Sequence, residues 1–319
     1  MRRIQLPGLD VEVSSLGFGC ASLGSRVAPA AGLKALASAF DAGVTWFDVA
    51  PAYGGGAAEG LLGDFVQGRR GDIQICTKVG LRAPRRNIVY RTVLPMARRI
   101  LSAAPGLRAA AKSGARTVNQ AVPLTAGMIA DSIADSLVKL KTDHVDVLAL
   151  HMADPAVIGR DDILRALEQI LARGQARAVG VAGTAEAAVL TAALGKPYGV
   201  VQLADDPETR PLARVRDAAA GRPLSVITHS VFGVDGAFAR ARARLLEDEP
   251  RRRRLAEMGY EGEPDRITAE ILLDRALASN ADGVVLMSMF GADHLRFNVS
   301  RAARAPSATA LEAAAALFA

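Results

Sequence analysis

Short apolar runs alternate with longer amphipathic stretches along most of this 319-residue chain. Runs such as TWFDVA, IQICTKVG and GVVQLA are rich in β-branched residues, which is typical of strands buried on both faces. The intervening stretches, for example GRDDILRALEQILARG, repeat apolar residues every three to four positions and predict helices. The pattern predicts eight strands, each followed by a helix or by a longer connection that contains one.

This order of elements predicts an α/β fold, a (β/α)8 TIM barrel that forms one domain over residues 1–319. A doubly wound open sheet is the competing architecture. It would normally open with GxGxxG after its first strand, and GFGCASLG fits that spacing poorly. The segment RIQLPGLDVEVS, which precedes the first barrel strand, predicts an N-terminal β-hairpin that caps one end of the barrel.

A long basic insertion follows the third predicted strand. Residues 81–124 contain eight Arg and one Lys but no Asp or Glu, so this segment has a charge of +9. Because the net charge of the whole chain is +6, the rest of the chain has a charge of −3. Connections are usually much shorter. Three interpretations stay open: a solvated loop, a pocket wall that attracts an anionic substrate, and a contact of residues 91–116 with a membrane surface. Aromatic residues are too few to predict nucleic-acid binding.

The remaining composition narrows the class of protein. No apolar stretch reaches the roughly 20 residues that a transmembrane helix needs, and the N-terminus MRRIQLPGLD lacks an apolar signal-peptide core. We therefore expect a cytoplasmic protein. Cys20 and Cys76 stand apart, without CxxC or His spacing, so neither a disulfide nor a metal site is predicted.

Four ionisable residues lie at the ends of three predicted strands. Asp48 and Tyr53 follow the second strand, Lys78 ends the third, and His151 ends the fourth. Because (β/α)8 barrels place their catalytic groups at the C-terminal ends of strands, we expect the four to share one site. The structural alternatives are a helix cap for Asp48, a half-buried aromatic for Tyr53, and rim residues for the other two.

Several segments resemble, in order, those of the aldo-keto reductases: GFG, AFDAGVTWFDVAPAYGGGAAEGLLG, the Thr77–Lys78 pair, DSLVKLKTDHVDVLALH and ALEQILARGQARAVGV. The similarity runs through the whole chain and is strongest over about residues 16–180. It implies hydride transfer between a nicotinamide cofactor and a small-molecule carbonyl or alcohol, as in an aldehyde or ketone reductase or an alcohol dehydrogenase. NADPH is the expected cofactor and NADH the alternative.

The resemblance also assigns roles to the four ionisable residues. Tyr53 is the expected general acid/base, and a nearby Lys78 ammonium is expected to lower the pKa of its phenol. Asp48 is expected to hold Lys78, and His151 to orient the carbonyl oxygen. A nicotinamide-nucleotide-binding barrel with a regulatory role is the alternative from another class, and non-redox acid–base chemistry is a third.

The cofactor pocket implied by the resemblance draws on the ends of several strands. Gln202 and Asn298 match residues of the family, whereas His229 stands where the family has an aromatic residue that stacks on the nicotinamide. The expected cofactor-binding residues are Gly19, Cys20, Asp48, Ala182, Gly183, Gln202, His229, Ser230, Ser288, Phe290, His294 and Asn298.

Two parts of this pocket depart from the family pattern. Ala182 and Gly183 occupy the positions of a Ser-Asn pair that contacts the nicotinamide carboxamide. Ser288, Phe290 and His294 stand where NADP-binding members place cations, and Ser and Phe cannot replace the charged contacts that Arg makes with a phosphate. These departures keep both NADH use and a loss of redox activity open.

Overall fold

The computed structural model describes residues 1–83, 120–234 and 236–318. Eight parallel strands close into a barrel in the order in which they occur along the chain, which confirms the predicted (β/α)8 fold. Two short antiparallel pairs lie outside the barrel. The pair that precedes the barrel is β1 (Arg3–Leu6) with β2 (Val11–Ser14), and the other is β6 (Leu81–Arg82) with β7 (Gln120–Ala121). The barrel strands are β3 (Leu16–Gly19), β4 (Trp46–Asp48), β5 (Gln74–Val79), β8 (Val145–His151), β9 (Ala176–Gly183), β10 (Tyr198–Ala204), β11 (Ser225–His229) and β12 (Val284–Met287).

Helices follow the barrel strands and cover the outside of the barrel. One of them, α5 (Asp161–Ala172), shows the physical basis: Ile163, Leu167 and Ile170 lie on its buried face, at the three-to-four spacing that an amphipathic helix requires. The helices of the described residues are α1 (Pro29–Asp41), α2 (Ala58–Val66), α3 (Ala126–Leu140), α4 (Pro155–Ile158), α5 (Asp161–Ala172), α6 (Ala185–Leu194), α7 (Leu212–Ala219), α8 (Ala237–Glu247), α9 (Glu249–Glu257), α10 (Pro264–Ser279), α11 (Ala292–Ala302) and α12 (Ala308–Phe318).

The interior of the barrel is filled at the end where the strands begin. Ile4, Leu6 and Val13 of the hairpin pack against a cluster of buried residues that comes from seven of the barrel strands. The members on the barrel strands are Trp46, Cys76, Val147, Ala178, Val200, Ile227, Val284 and Leu286. The hairpin therefore closes this end, as predicted, and leaves the opposite end of the barrel for the site.

Neighbouring strand residues belong to different layers of the core. Phe47 and Leu148, which lie next to Trp46 and Val147, join the larger cluster that includes buried residues of the surrounding helices. Successive side chains of a strand point to opposite faces. Consequently, Asp48 and Lys78, two positions beyond Trp46 and Cys76, share the inner face of the barrel with them.

The insertion after the third barrel strand is described only at its two ends. Leu81 pairs with Ala121 and Arg82 with Gln120 in the antiparallel β6–β7 pair, and the Val122 amide donates to the Gly80 carbonyl at 2.9 Å. Residues 84–119 lie outside the described residues. The expected roles of this segment, as a pocket wall or as a membrane contact over 91–116, concern these residues and stay predictions. No described helix is both long enough and apolar enough to cross a membrane. That residues 1–319 form a single domain stays a prediction.

Candidate active site

One cavity of about 360 Å³ opens where the barrel strands end. All four residues with a predicted catalytic role line it, and so do most of the residues expected to bind the cofactor. The predicted residues that line this cavity are Gly19, Asp48, Tyr53, Lys78, His151, Ala182, Gly183, Gln202, His229, Ser230 and Ser288. Residues from distant parts of the chain thus meet because the carboxyl ends of all eight strands lie at one rim of the barrel.

Asp48 and Lys78 form a buried ion pair at the base of this cavity. The Lys78 Nζ atom donates to Asp48 Oδ1 at 2.6 Å and to the Val49 carbonyl at 3.1 Å, and only 1% of Lys78 and 3% of Asp48 is exposed. Burial disfavours the ammonium, but the Asp48 carboxylate and the Tyr53 phenol outweigh that effect and raise the pKa of Lys78 above its ordinary value. Lys78 therefore carries a fixed positive charge.

Tyr53 lies on a 3-10 turn, Tyr53–Gly55, between β4 and α2. Gly54 in this turn has a φ of 64°, and a Cβ atom there would lie 2.0 Å from the Leu23 carbonyl oxygen, so the turn requires glycine. The Lys78 ammonium lies 5.0 Å from the centroid of the Tyr53 ring. The His151 ring approaches Tyr53 edge to face, with the centroids 5.9 Å apart. A phenol, a cation and an imidazole are thus grouped around one point.

Burial dominates the acidity of the phenol. It raises the pKa of Tyr53 above the ordinary value, and although Lys78 acts in the opposite direction, it does not offset the burial. The expected lowering of the Tyr53 pKa by Lys78 is therefore wrong for the net shift and right only for the sign of the Lys78 contribution. A sequence shows the neighbouring cation but not the loss of hydration that works against it.

Both histidines of the cavity are held neutral. Burial, assisted by the positive charge of Lys78 and by His229, lowers the pKa of His151 to about 3. Burial also lowers the pKa of His229, whose Nδ1 lies 2.9 Å from the Ser230 hydroxyl. The Nδ1 atom of His151 is buried and has no hydrogen-bond partner among the described residues. At neutral pH, His151 can therefore donate one hydrogen bond but does not supply a positive charge.

Four residues expected to bind the cofactor are not part of the cavity wall. Cys20 is buried behind it, with its amide donating to the Asp48 carbonyl at 2.8 Å, and Phe290 packs edge to face on Phe18 with the ring centroids 4.9 Å apart. His294 is exposed on α11 and Asn298 is buried on the same helix. These four contribute to the surroundings of the site or to α11.

The cavity also contains residues that were not predicted. The set is Ala21, Ser22, Arg26, Met152, Leu286 and Met287. Arg26 is the charged member, and it lies in the loop between β3 and α1. The predicted cations belong to the insertion after the third strand, whereas Arg26 follows the first strand, in a loop whose local sequence is that of an ordinary solvated loop.

A model of the Aldo/keto reductase family matches residues 15–221. The chain belongs to the aldo/keto reductase family. This match covers the strands that carry Asp48, Lys78 and His151, and it confirms the predicted family. A 6-dehydroglucose reductase from Agrobacterium fabrum is 32% identical over 186 residues, which are 57% of this chain and 53% of that protein. A D-threo-aldose 1-dehydrogenase from Pseudomonas sp is 27% identical over 289 residues, 85% of this chain and 79% of that protein.

Solved aldo-keto reductases share the complete fold. The holo form of a Bacillus halodurans aldo-keto reductase superposes with a TM-score of 0.68 at 20% identity and covers 99% of this chain and 96% of its own. An aldo-keto reductase from Klebsiella pneumoniae in complex with NADPH gives 0.66 at 19% identity, with 100% and 96% covered. By sequence, however, the chain spans about half the length of most of the curated relatives it matches.

Proposed function

We propose that this aldo-keto reductase is an NAD(P)H-dependent oxidoreductase that interconverts a small-molecule carbonyl and its alcohol. The observation that carries the proposal is the arrangement of Tyr53, His151 and the Lys78–Asp48 pair in one cavity. A neutral phenol beside a buried ammonium is a proton donor whose conjugate base receives a stabilising contribution from that charge. Structural roles for the four residues separately would not require them to meet.

Tyr53 supplies the proton in the reductive direction. Its raised pKa keeps the phenol protonated at neutral pH, so the O–H bond is available to the oxygen of a carbonyl that becomes an alkoxide. As the proton leaves, the Lys78 ammonium stabilises the phenolate. Asp48 keeps Lys78 charged and directed towards the phenol.

His151 orients the substrate. Because the imidazole stays neutral, its single N–H can donate to the carbonyl oxygen of the substrate. The Tyr53 ring lies edge to face with the imidazole, so its hydroxyl can donate to the same oxygen. Two donors that converge on one oxygen select a carbonyl over other groups of similar size and stabilise the charge that develops on it.

The cavity, with a volume of about 360 Å³, is the proposed site of a nicotinamide ring, which when bound would supply or accept the hydride. Gln202, His229, Ser230 and Ser288 offer polar atoms on the wall. The N-terminal amides of α11, after Gly291, offer contacts for a phosphate. NADPH is the proposed cofactor, supported by the NADPH complex of the Klebsiella pneumoniae protein. NADH is the alternative, because Arg296 on α11 pairs with Asp293 and the Ser288 and Phe290 positions lack a cation.

The proposed substrate is a small aldehyde, ketone or alcohol. The 6-dehydroglucose reductase and the D-threo-aldose 1-dehydrogenase are named for carbonyl compounds of the sugar class, which supports the inclusion of polyhydroxylated carbonyls in a substrate panel.

The +9 charge of residues 81–124 supports an anionic substrate, with contact between 91–116 and a membrane surface as the weaker alternative. A cytoplasmic location is part of the proposal, and cell fractionation would test it.

Parallel titrations with NADPH and NADH test the proposal, followed by a carbonyl panel in which oxidation of the reduced cofactor is monitored. Saturable binding with turnover that is lost in Tyr53→Phe is the expected result. Binding without turnover of any carbonyl would favour the regulatory role. No binding of either nucleotide by protein with an intact circular dichroism spectrum would refute the oxidoreductase assignment and direct attention to cofactor-independent chemistry.

A further inference from the structure

The loop that carries Arg26 is a compact turn held by its own backbone. The Ser22 carbonyl accepts from the amides of Ser25 at 3.2 Å and Val27 at 3.0 Å, and the Gly24 amide donates to the Val27 carbonyl at 3.0 Å. Arg26 lies near the tip of this turn, with an exposed side chain that lines the cavity. The hydrogen bonds of the turn therefore fix the backbone from which the Arg26 side chain extends.

The same turn lies directly against the segment that carries Tyr53. A Cβ atom at Gly54 would lie 2.0 Å from the Leu23 carbonyl oxygen, and one at Gly24 would lie 3.1 Å from the Ala57 Cβ atom. The backbones thus meet without space between them. Arg26 is therefore presented from the side of the cavity where the proposed proton donor lies.

Arg26 carries the uncompensated charge among the described residues that line the cavity. The charged residues that line it are Arg26, Asp48 and Lys78, and the last two neutralise each other in their ion pair. The two histidines are neutral because burial lowers the pKa of each. Among the described residues that line the cavity, one positive charge is therefore left without a counter-charge, that of the Arg26 guanidinium.

No described residue pairs with this charge. Arg26 forms no ion pair with a described residue. Many other charged side chains of the described residues do form ion pairs with a side chain of opposite charge. Of the residues outside the described part, 84–119 contain no Asp or Glu, so Asp235 is the single residue there with a carboxylate side chain. A guanidinium at the mouth of a cavity, without a partner among the described residues, is suited to a carboxylate or phosphate of a ligand.

We propose that Arg26 binds an anionic group, a carboxylate or a phosphate, on the carbonyl substrate and thereby determines substrate specificity. The inference rests on the proposed oxidoreductase function. It assigns to one residue of the β3–α1 loop the recruitment of an anionic substrate, which is one of the three interpretations of the insertion. The reaction at the carbonyl is unchanged, because Arg26 acts on the remote end of the substrate.

Matched pairs of aldehydes test this role: para-carboxybenzaldehyde with its methyl ester, and succinic semialdehyde with its methyl ester. Each pair differs by one negative charge. The wild-type protein should prefer the acid in kcat/KM by about tenfold or more, equivalent to about 1.4 kcal/mol. Arg26→Gln should abolish the preference through a higher KM for the acid at unchanged kcat, Arg26→Lys should retain part of it, and Arg26→Glu should reverse it. Added salt should weaken the preference, since the guanidinium is exposed.

Lys34→Gln on α1 is the control, because it removes the same charge from an exposed residue outside the cavity. If the ratio of kcat/KM for acid to kcat/KM for ester is the same in Arg26→Gln as in the wild-type protein, the inference is overturned. Turnover of the ester in that variant would still support the oxidoreductase function. A higher Kd for NADPH, with acid and ester affected equally, would also overturn it and assign Arg26 to a cofactor phosphate. Turnover of neither compound, without nucleotide binding, would remove the proposed function and this inference with it.

Discussion

The buried pair of Asp48 and Lys78 gives the sharpest test of the site. In Asp48→Asn the ammonium would stay buried without its partner, and in Lys78→Met the carboxylate would. Breaking a buried pair in this way costs about 3–5 kcal/mol. For a chain of 319 residues, an unfolding entropy of ~2.1 cal/mol/K per residue gives ~0.7 kcal/mol/K in total, so each single variant should lose about 4–7 °C in Tm.

The double variant Asp48→Asn/Lys78→Met separates stability from function. Since neither charge is left uncompensated, it should be destabilised by much less than the sum of the two single variants, while the reductase activity stays lost. Calorimetric and urea unfolding of all four proteins would give the coupling free energy. If the single effects add to within about 0.5 kcal/mol, the two groups do not stabilise each other in the folded protein and the assigned pairing is wrong.

Three further predictions concern the chemistry of the cavity. Tyr53→Phe should lower kcat by about 10²–10⁴-fold and leave the Kd of NADPH, measured by cofactor fluorescence, within about twofold of wild type; a large rise in Kd would instead make Tyr53 a binding residue. Because the pKa of Tyr53 is raised, kcat for the reduction should be independent of pH through the neutral range and should fall only above the ordinary tyrosine pKa of about 10. The pKa of His151 is lowered to about 3, so the pH profile of kcat should show no inflection near pH 6.5. An inflection near pH 6.5 that disappears in His151→Asn would contradict a neutral His151. The variant Ala182→Ser/Gly183→Asn should bind NADPH about fivefold or more tightly, since a net hydrogen bond contributes about 1 kcal/mol. The side chain at position 183 has room, because a Cβ atom at Gly183 would lie an ordinary 3.7 Å from its nearest neighbours, Ala187 and Met152. An unchanged affinity in isothermal titration would show that the nicotinamide carboxamide does not bind beside these residues.

The strands of the barrel were predictable because burial on both faces leaves a direct mark on the sequence. The run VDVLALH reads as an apolar strand that ends in a polar residue, and the structure places β8 over Val145–His151. The hairpin was predictable for a similar reason, from the turn residues between two short runs. In contrast, α12 was not distinguished, since its alanine-rich sequence has no clear polar face.

The contents of the candidate site were predictable in part. The residues at the ends of the strands were identified from order and resemblance, and Asp48, Lys78 and His151 line one cavity. Arg26 was missed because nothing in its local sequence distinguishes it from a solvated loop residue; only the fold places it over the cavity. The sign of the Tyr53 pKa shift was wrong because it depends on the balance between burial and the Lys78 charge, and that balance is a property of packing.

The β6–β7 pair makes the barrel insensitive to the length of the segment between them. Leu81 and Arg82 are joined to Ala121 and Gln120 by the strand ladder, so both ends of the insertion stay adjacent whatever sequence connects them. Lys78, three residues before Leu81 on the same side of the barrel, therefore keeps its place when the connection changes. The position between Arg82 and Gln120 is thus a natural site for exchange of loops, at which substrate range can be altered, in evolution or in the laboratory, without rebuilding the proton donor.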